Sequence, residues 1–212
     1  MTPKLHIADP IWNMEHIHTL IQHMDADVRL AVFPELCISG YTCQDLFYET
    51  ALLTACQSAL LSFCEKNESE VLLVLGLQFA QERSLYNCAV FVYQHRILGV
   101  VPKTYLPNYG EFYEQRWFAS GAGVETSVDL CGETVDMDAA GLFACETVPN
   151  LVLGVEICED LWATEPPSAR LARGGATVIL NLSASNELVG KSGYRRNLVV
   201  GQSGRLVCGY VS

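Results

Sequence analysis

Two hydrophobic periods alternate along the chain and predict a mixture of helices and strands. Apolar residues recur at helical intervals from Ile11 to Met24 and again from Asp45 to Cys64, where Asp45 is a candidate helix N-cap. Short apolar runs between polar or turn-forming segments predict buried strands. Strands are predicted at residues 29–33, 71–79, 86–93, 96–101, 151–157, 177–182 and 206–211, with a weak strand remnant at 5–8 and further helices at 168–173 and 192–204.

The spacing of the predicted strands limits how they can pair. The strands at 71–79, 86–93 and 96–101 leave no room for crossover helices, so they must pair antiparallel. This predicts an α/β chain with a mixed sheet rather than a doubly wound parallel one. Residues 121–141, rich in small and acidic residues, predict a surface loop or an edge hairpin. Because residues 206–212 read as a strand with no turn after it, we expect a fragment of a larger architecture.

Bulk composition predicts one packed domain over residues 1–212. Half of the 212 residues are hydrophobic and 17% are charged, which is typical of a globular chain. The net charge of −11 argues against nucleic acid or an anionic membrane as the main partner, because both need a cationic surface. The longest apolar stretch, residues 71–80, is too short to span a bilayer, and no signal-peptide pattern occurs at the N-terminus.

The cysteines indicate a reducing compartment. There are nine, an odd number, with no C-x-x-C spacing, and several lie inside apolar helix-like or strand-like runs. This pattern favours reduced, mostly structural thiols in a cytoplasmic protein. No metal site is expected, because ligand pairs at zinc-finger spacing and H-E-x-x-H are both missing.

Three reactive side chains each close a predicted buried strand. Glu35 follows the strand ending at Phe33, Lys103 follows the strand ending at Val101, and Cys158 follows the strand ending at Ile157. Taken singly, their positions favour ordinary roles: Glu35 as a turn acid, Lys103 as a solvated strand terminus and Cys158 as an inert buried thiol. Strand ends of a layered sheet can gather at one edge, where open α/β sheets form their ligand crevices. Together they are therefore candidates for one site.

Longer motifs around these residues resemble a known family. The blocks F-P-E-L-C-I-S-G-Y-T-C-Q-D-L-F, P-K-T-Y-L-P-N-Y-G-E-F-Y-E-Q-R-W-F and V-E-I-C-E-D-L-W resemble, in order, the catalytic blocks of the nitrilase, or carbon–nitrogen hydrolase, superfamily. The blocks N-L-S-A-S-N-E and G-K-S-G-Y-R-R at 181–187 and 190–196 narrow the resemblance to the glutamine amidotransferase domains of glutamine-dependent NAD⁺ synthetases. The resemblance implies an α-β-β-α sandwich of two mixed sheets, here truncated at both ends.

The resemblance implies a role for each reactive group. Cys158 would attack the γ-carboxamide of L-glutamine and form a glutamyl thioester. Glu35 would take the thiol proton and return it to the departing ammonia, and Lys103 would hold Glu35 and stabilise the oxyanion. Glu111 matches an accessory catalytic glutamate beside the triad, although it also reads as an ordinary loop acid. Matched substrate-binding positions are Tyr109, Phe112, Glu159 and Ser185.

The acids around Cys158 raise an electrostatic objection to this assignment. Glu156, Glu159 and Asp160 are close in sequence, and negative charge raises a thiol pKa. Strand alternation predicts that Glu156 shares the face of Cys158. Lys103 would have to offset these charges.

The resemblance also implies what lies outside this chain. In the intact enzyme the ammonia amidates adenylated nicotinic acid adenine dinucleotide in a synthetase domain in cis, which uses ATP and Mg²⁺ and whose phosphate loop, S-G-G-x-D-S, is absent from residues 1–212. No cofactor is expected in the glutaminase domain itself, the intact protein is expected to be a homo-oligomer, and the isolated chain is expected to show weak or no turnover. Two alternatives stay open: a free-standing amidase acting on another small amide, and a catalytically silent fragment.

Overall fold

Two mixed β-sheets pack face to face and carry helices on their outer surfaces in the computed structural model, which describes residues 1–212. The α-β-β-α sandwich implied by the resemblance is confirmed. The helices are α1 Pro10–Gln22, α2 Thr50–Lys66, α3 Glu114–Trp117, α4 Pro167–Arg173 and α5 Lys191–Leu206, with short 3-10 helices at Gln44–Tyr48 and Cys158–Trp162. The strands are β1 Leu30–Val32, β2 Leu72–Gln81, β3 Ser84–Tyr93, β4 Arg96–Pro102, β5 Glu125–Leu130, β6 Glu133–Asp138, β7 Leu142–Ala144, β8 Val152–Ile157, β9 Val178–Leu182 and β10 Gly209–Val211.

The first sheet has the order β1-β2-β3-β4-β6-β5 and the second has the order β10-β9-β8-β7. Strands β2, β3 and β4 form the predicted antiparallel meander, and β1 joins β2 in parallel. The acidic segment at 121–141 contains the β5–β6 hairpin at the sheet edge. Strands β8, β9 and β10 are parallel, so β8 and β9 end on the same side of their sheet.

Apolar side chains fill three spaces between these layers. One cluster lies between the first sheet and helices α1 and α2, a second joins the two sheets, and a third lies beneath α4 and α5. Strands β2 and β3 contribute to the first two clusters, which explains their nearly continuous apolar sequence. The second cluster contains Val101 and Ile157, so the strands leading to Lys103 and Cys158 are packed in the same interface.

Three sequence predictions differ from the structure. Asp45 does not cap a long helix, because a 3-10 helix ends at Tyr48 and α2 begins only at Thr50. The Asp45 carboxylate instead accepts hydrogen bonds from Arg116 at 2.7 and 2.9 Å. Residues 5–8 form no strand, and the last strand is only β10, because α5 continues to Leu206.

None of the helices is both long and apolar enough to cross a membrane. No group of three His, Cys, Asp or Glu side chains is arranged to hold a metal ion. All nine cysteines are free thiols, and seven of them are buried.

Gly76 in β2 allows the turn that carries Glu35 to lie directly against the strand. A Cβ at this position would be 2.2 Å from the Leu36 nitrogen and 2.5 Å from the Pro34 oxygen. Both are backbone atoms, so the overlap cannot be relieved by a side-chain rotation. Gly76→Ala is therefore expected to lower the free energy of unfolding by about 3 kcal/mol or more, at the upper end of overpacking effects. Urea unfolding measures this. Gly110→Ala is a control without steric overlap, because no atom lies within 4 Å of its added Cβ, although its φ of +59° carries backbone strain.

Candidate active site

The structure brings the three predicted side chains together at one end of the sandwich. Glu35 lies in the turn after β1, Lys103 follows β4, and Cys158 follows β8. Glu35 and Lys103 are each 1% exposed and Cys158 is 8% exposed. The first two come from one sheet and the third from the other, so the site lies where the two sheets meet.

Glu35 is fixed by donors from three segments of the chain. The Lys103 Nζ donates to Glu35 Oε1 at 2.5 Å, and Asn87 Nδ2 donates to the same oxygen at 2.7 Å. The backbone N–H of Ala184, in the loop after β9, donates to Oε2 at 3.2 Å. The Asn87 carbonyl also accepts from the Lys103 N–H at 2.8 Å. Asn87 in β3 thus positions both members of the ion pair, a role that the sequence did not reveal.

The second glutamate beside Lys103 is Glu114, and the placement of Glu111 beside the triad is wrong. Lys103 Nζ donates to both Glu114 carboxylate oxygens, at 2.7 and 2.8 Å, and the Tyr41 hydroxyl donates to one of them at 2.7 Å. Glu114 is 1% exposed. Glu111 is exposed and accepts a hydrogen bond from Asn186, because residues 107–112 form an outward loop before α3 turns back to the site.

The charges of this cluster shift the pKa values of Glu114 and Lys103. Burial raises the pKa of Glu114 to about 7, the negative charge of Glu35 adds to the rise, and Lys103 opposes it. Burial by itself disfavours the Lys103 ammonium, but the carboxylates of Glu35 and Glu114 outweigh it and raise the pKa of Lys103 above its ordinary value. Lys103 therefore remains a cation at neutral pH.

Cys158 occupies a strained turn between β8 and the 3-10 helix that begins at this residue. Its φ is +47°, in the left-handed region that non-glycine residues rarely adopt. Leu36, next to Glu35, has a φ of +52°. Strained conformations of this kind concentrate at functional sites, where the surrounding structure stabilises them.

The Cys158 thiol is protonated in the resting protein. Burial raises its pKa to about 12, and the negative charge of Glu35 adds to the rise, whereas Lys103 lowers it. Ser183 and the backbone of Ala184 lie next to the sulfur and also lower the pKa. A thiol in this environment becomes a nucleophile only if a base removes its proton during attack, and Glu35 is the carboxylate in place.

The acids near Cys158 in sequence do not crowd its sulfur as expected. Glu156 faces the outer helix layer, where it accepts hydrogen bonds from the Ser168 N–H at 2.8 Å and from the Tyr210 hydroxyl. Its predicted position on the face of Cys158 is wrong, because Cys158 leaves the strand in a left-handed turn and strand alternation stops there. The Asp160 carboxylate instead accepts hydrogen bonds from the backbone N–H groups of Tyr105 and Ile157.

A cavity of about 420 Å³ opens onto Cys158. All four predicted substrate-binding residues line it, and the Tyr109 hydroxyl donates to both oxygens of Glu159, at 3.0 and 2.9 Å. The cavity also contains a cation that the sequence did not single out, Lys191 at the start of α5. Its Nζ donates to Ser185 Oγ at 2.7 Å and lies 5.4 Å from the centre of the Trp162 ring. The lining residues are Tyr41, Pro107, Tyr109, Glu111, Phe112, Cys158, Glu159, Trp162, Ser185, Asn186, Leu188 and Lys191.

The fold and the site define a class of α-β-β-α proteins with a buried Glu–Lys–Cys cluster beside a small polar cavity. The family model described as carbon–nitrogen hydrolase matches residues 6–206. The chain belongs to the carbon–nitrogen hydrolase family.

Individual relatives narrow the resemblance. Over 207 residues, 97% of this chain, it is 40% identical to the glutamine-dependent NAD(+) synthetase of Mycobacterium tuberculosis strain H37Rv, and it covers 30% of that protein. The crystal structure of a glutamine-dependent NAD(+) synthetase from Cytophaga hutchinsonii superposes with a TM-score of 0.83 at 29% identity, covering 99% of this chain and 34% of that one. The chain thus spans about a third of the length of these relatives, and its resemblance to their amidohydrolase part is confirmed.

A protein that is shorter than these synthetases, but longer than this chain, shares the fold. An amidase from Nesterenkonia sp. superposes with a TM-score of 0.73 over 100% of this chain and 73% of its own, at 18% identity. At this identity the match supports the fold alone.

Proposed function

We propose that this chain is a glutaminase that hydrolyses L-glutamine to glutamate and ammonia through a thioester on Cys158. One observation carries the proposal: the buried Glu35–Lys103 pair lies beside Cys158, and Cys158 lines a cavity that holds both anionic and cationic side chains. Glu35 supplies the base, and Lys103 supplies the partner of the oxyanion. The charged side chains suit an amino acid with an ammonium and a carboxylate.

The first half of the reaction forms the thioester. Glu35 takes the Cys158 proton as the sulfur bonds to the γ-carboxamide carbon, and Lys103 Nζ stabilises the resulting oxyanion. The tetrahedral intermediate then collapses: the C–N bond breaks, and the proton on Glu35 passes to the leaving nitrogen, which departs as ammonia.

The second half regenerates the thiol. Water attacks the thioester carbon while Glu35 removes its proton, and Lys103 again stabilises the oxyanion. The C–S bond breaks, glutamate is released, and the proton returns from Glu35 to Cys158. Because Lys103 keeps its charge throughout, Glu35 alone relays protons: from Cys158 to the leaving nitrogen in the first half, and from water to Cys158 in the second.

The ends of glutamine have partners at the mouth of the cavity. The Lys191 ammonium suits the α-carboxylate, with the hydroxyl of Ser185 beside it. Glu159, held by Tyr109, suits the α-ammonium. Phe112 lines the cavity next to Tyr109, with their ring centres 5.9 Å apart, and covers the aliphatic part of the substrate.

The similarity to glutamine-dependent NAD(+) synthetases supports a larger setting. In this proposal the ammonia passes to a synthetase domain of the same polypeptide, where it amidates adenylated nicotinic acid adenine dinucleotide. ATP and Mg²⁺ are then used in that domain, and the glutaminase domain works without a cofactor. The intact enzyme is proposed to be a homo-oligomer in the cytoplasm. The buried, unpaired cysteines support a reducing compartment.

Substrate selectivity tests the proposal against a general amidase. Butyramide has a primary carboxamide but lacks both α-substituents, so it cannot use Lys191 or Glu159. We expect kcat/KM for L-glutamine to exceed that for butyramide by at least about 100-fold, since two charge-assisted contacts of roughly 1.5–3 kcal/mol each are lost. Ammonia release by the full-length protein measures both rates, because the isolated chain is expected to show weak or no turnover. Equal rates for the two amides would favour the amidase, and no turnover of either would favour a silent fragment.

Lys191→Met supplies the matched variant. It keeps an unbranched apolar stem of similar length up to Cε but removes the ammonium, so KM for L-glutamine is expected to rise about 10- to 100-fold with kcat nearly unchanged. Butyramide hydrolysis should not change. An equal loss for both substrates would show that Lys191 does not bind the α-carboxylate.

A further inference from the structure

Asp160 links the two turns that deliver Lys103 and Cys158. Its Oδ1 accepts the N–H of Thr104 at 3.2 Å and of Tyr105 at 2.7 Å. Its Oδ2 accepts the N–H of Ile157 at 2.8 Å. The side chain is 2% exposed. One carboxylate therefore joins the two residues after Lys103 to the residue before Cys158.

This link crosses from one sheet to the other. Lys103 follows β4 in the first sheet and Cys158 follows β8 in the second, and the intervening contacts are between apolar side chains such as Val101 and Ile157. Apolar contacts are not directional, so they permit small shifts between the strands. Hydrogen bonds to two oxygens of one rigid group fix both distance and orientation.

Folding stability does not explain an acid at this position. Burial raises the pKa of Asp160 to about 7, although the N–H groups of Ile157 and Tyr105 and the charge of Lys103 lower it. A carboxylate whose pKa is higher in the folded than in the unfolded state favours folding when protonated. Its contribution to stability is therefore lost as the pH rises through about 7. The three backbone N–H groups that its oxygens accept, from both turns, are the observation that points to a role in the site.

We propose that Asp160 is a positioning residue that sets the separation between the Lys103 ammonium and the Cys158 sulfur. This role rests on the proposed function, because the separation matters only if Lys103 stabilises an oxyanion on a carbon bonded to Cys158. Asp160 touches neither the substrate nor the reacting atoms. It acts through the backbone of both turns.

Asp160→Asn tests the link with an isosteric side chain. Asparagine has a single acceptor oxygen, so it can serve either Ile157 or the Thr104–Tyr105 pair but not both. We expect kcat for L-glutamine to fall about 10- to 100-fold, as displacements of about 1 Å do in oriented sites. KM should stay within about twofold, because the groups that bind the substrate are unchanged. Because one set of buried N–H groups loses its acceptor, some loss of stability is expected, and circular dichroism checks that the variant is folded at the assay temperature.

Glu156→Gln is the matched control. It removes another buried acid two residues before Cys158, but its partners are Ser168 in α4 and Tyr210 in β10, away from both turns. Wild-type kcat is expected. An equal loss in both variants, or a wild-type kcat in Asp160→Asn, would overturn the proposal. If Asp160→Asn does not fold, Asp160→Glu keeps both oxygens but lengthens the link; it should lower kcat, and wild-type turnover there would likewise overturn the proposal.

A second readout separates this proposal from the function on which it rests. Acylation of Cys158 by p-nitrophenyl acetate needs the thiol, its base and the oxyanion partner, but not the cavity that binds glutamine. The burst of p-nitrophenolate should slow about 10- to 100-fold in Asp160→Asn and remain normal in Glu156→Gln. If wild type shows the burst but does not hydrolyse glutamine, the proposed substrate is wrong and the burst alone decides the role of Asp160. A wild-type burst in Asp160→Asn would contradict the proposal.

Discussion

Cys158→Ala is expected to lose glutamine hydrolysis completely, by at least about 10⁴-fold in kcat, because no other thiol can form the thioester in this site. The fold should survive, because the change removes a single sulfur atom from a side chain that already lines an open cavity. Steady-state ammonia release measures the loss, and circular dichroism checks the fold. Cys145→Ala, a partly exposed cysteine outside the cavity, should keep full activity. Residual turnover in Cys158→Ala above about 1% of wild type would rule out the covalent route.

Glu35→Gln is expected to lower kcat about 10²- to 10⁴-fold with KM little changed. The Cys158 thiol, with a pKa raised to about 12 by burial and by Glu35, cannot ionise unaided at neutral pH, and glutamine cannot accept its proton. The amide oxygen can still accept from Lys103 and Asn87, whereas its NH2 group cannot accept from the Ala184 N–H as Oε2 does. Single-turnover ammonia release measures the effect.

The control for Glu35→Gln is again Glu156→Gln, which changes a buried acid outside the site. A loss smaller than about tenfold in Glu35→Gln would show that another group takes the thiol proton. Glu114 is the nearest alternative, because Lys103 contacts both carboxylates.

The central site could be predicted because its three members close buried strands. Apolar runs mark where β1, β4 and β8 end, and the next reactive side chains are Glu35, Lys103 and Cys158. The strand positions follow from the short apolar runs. These runs are nearly continuous in β2 and β3 because both faces of these strands are buried. The sandwich itself came from the resemblance of long motifs and not from the period alone.

The second glutamate could not be located by counting residues. Glu111 and Glu114 lie three residues apart in an irregular segment, and only the turn from Tyr109 to Phe112 followed by α3 decides which one reaches Lys103. A loop has no period from which side-chain direction can be read. The same limit explains Glu156, whose prediction assumed that the strand continued through Cys158.

The roles of residues that act through long-range contacts could not be predicted from the sequence. Asn87 reaches Glu35 across 52 residues, and Asp160 reaches Tyr105 across 55. Lys191 begins α5, and only the folded chain shows that its ammonium lies beside Ser185 in the cavity. Asp45 failed as an N-cap for a similar reason, since distant Arg116 is its partner.

Mass spectrometry of the acid-quenched reaction tests the central claim most directly. Protein mixed with L-glutamine, quenched within the first turnovers and digested should carry the mass of one glutamyl group on the peptide that contains Cys158. The adduct should be absent from Cys158→Ala and should disappear when glutamine is exhausted. Glutamate formation without any adduct, or an adduct on one of the other eight cysteines, would contradict the account.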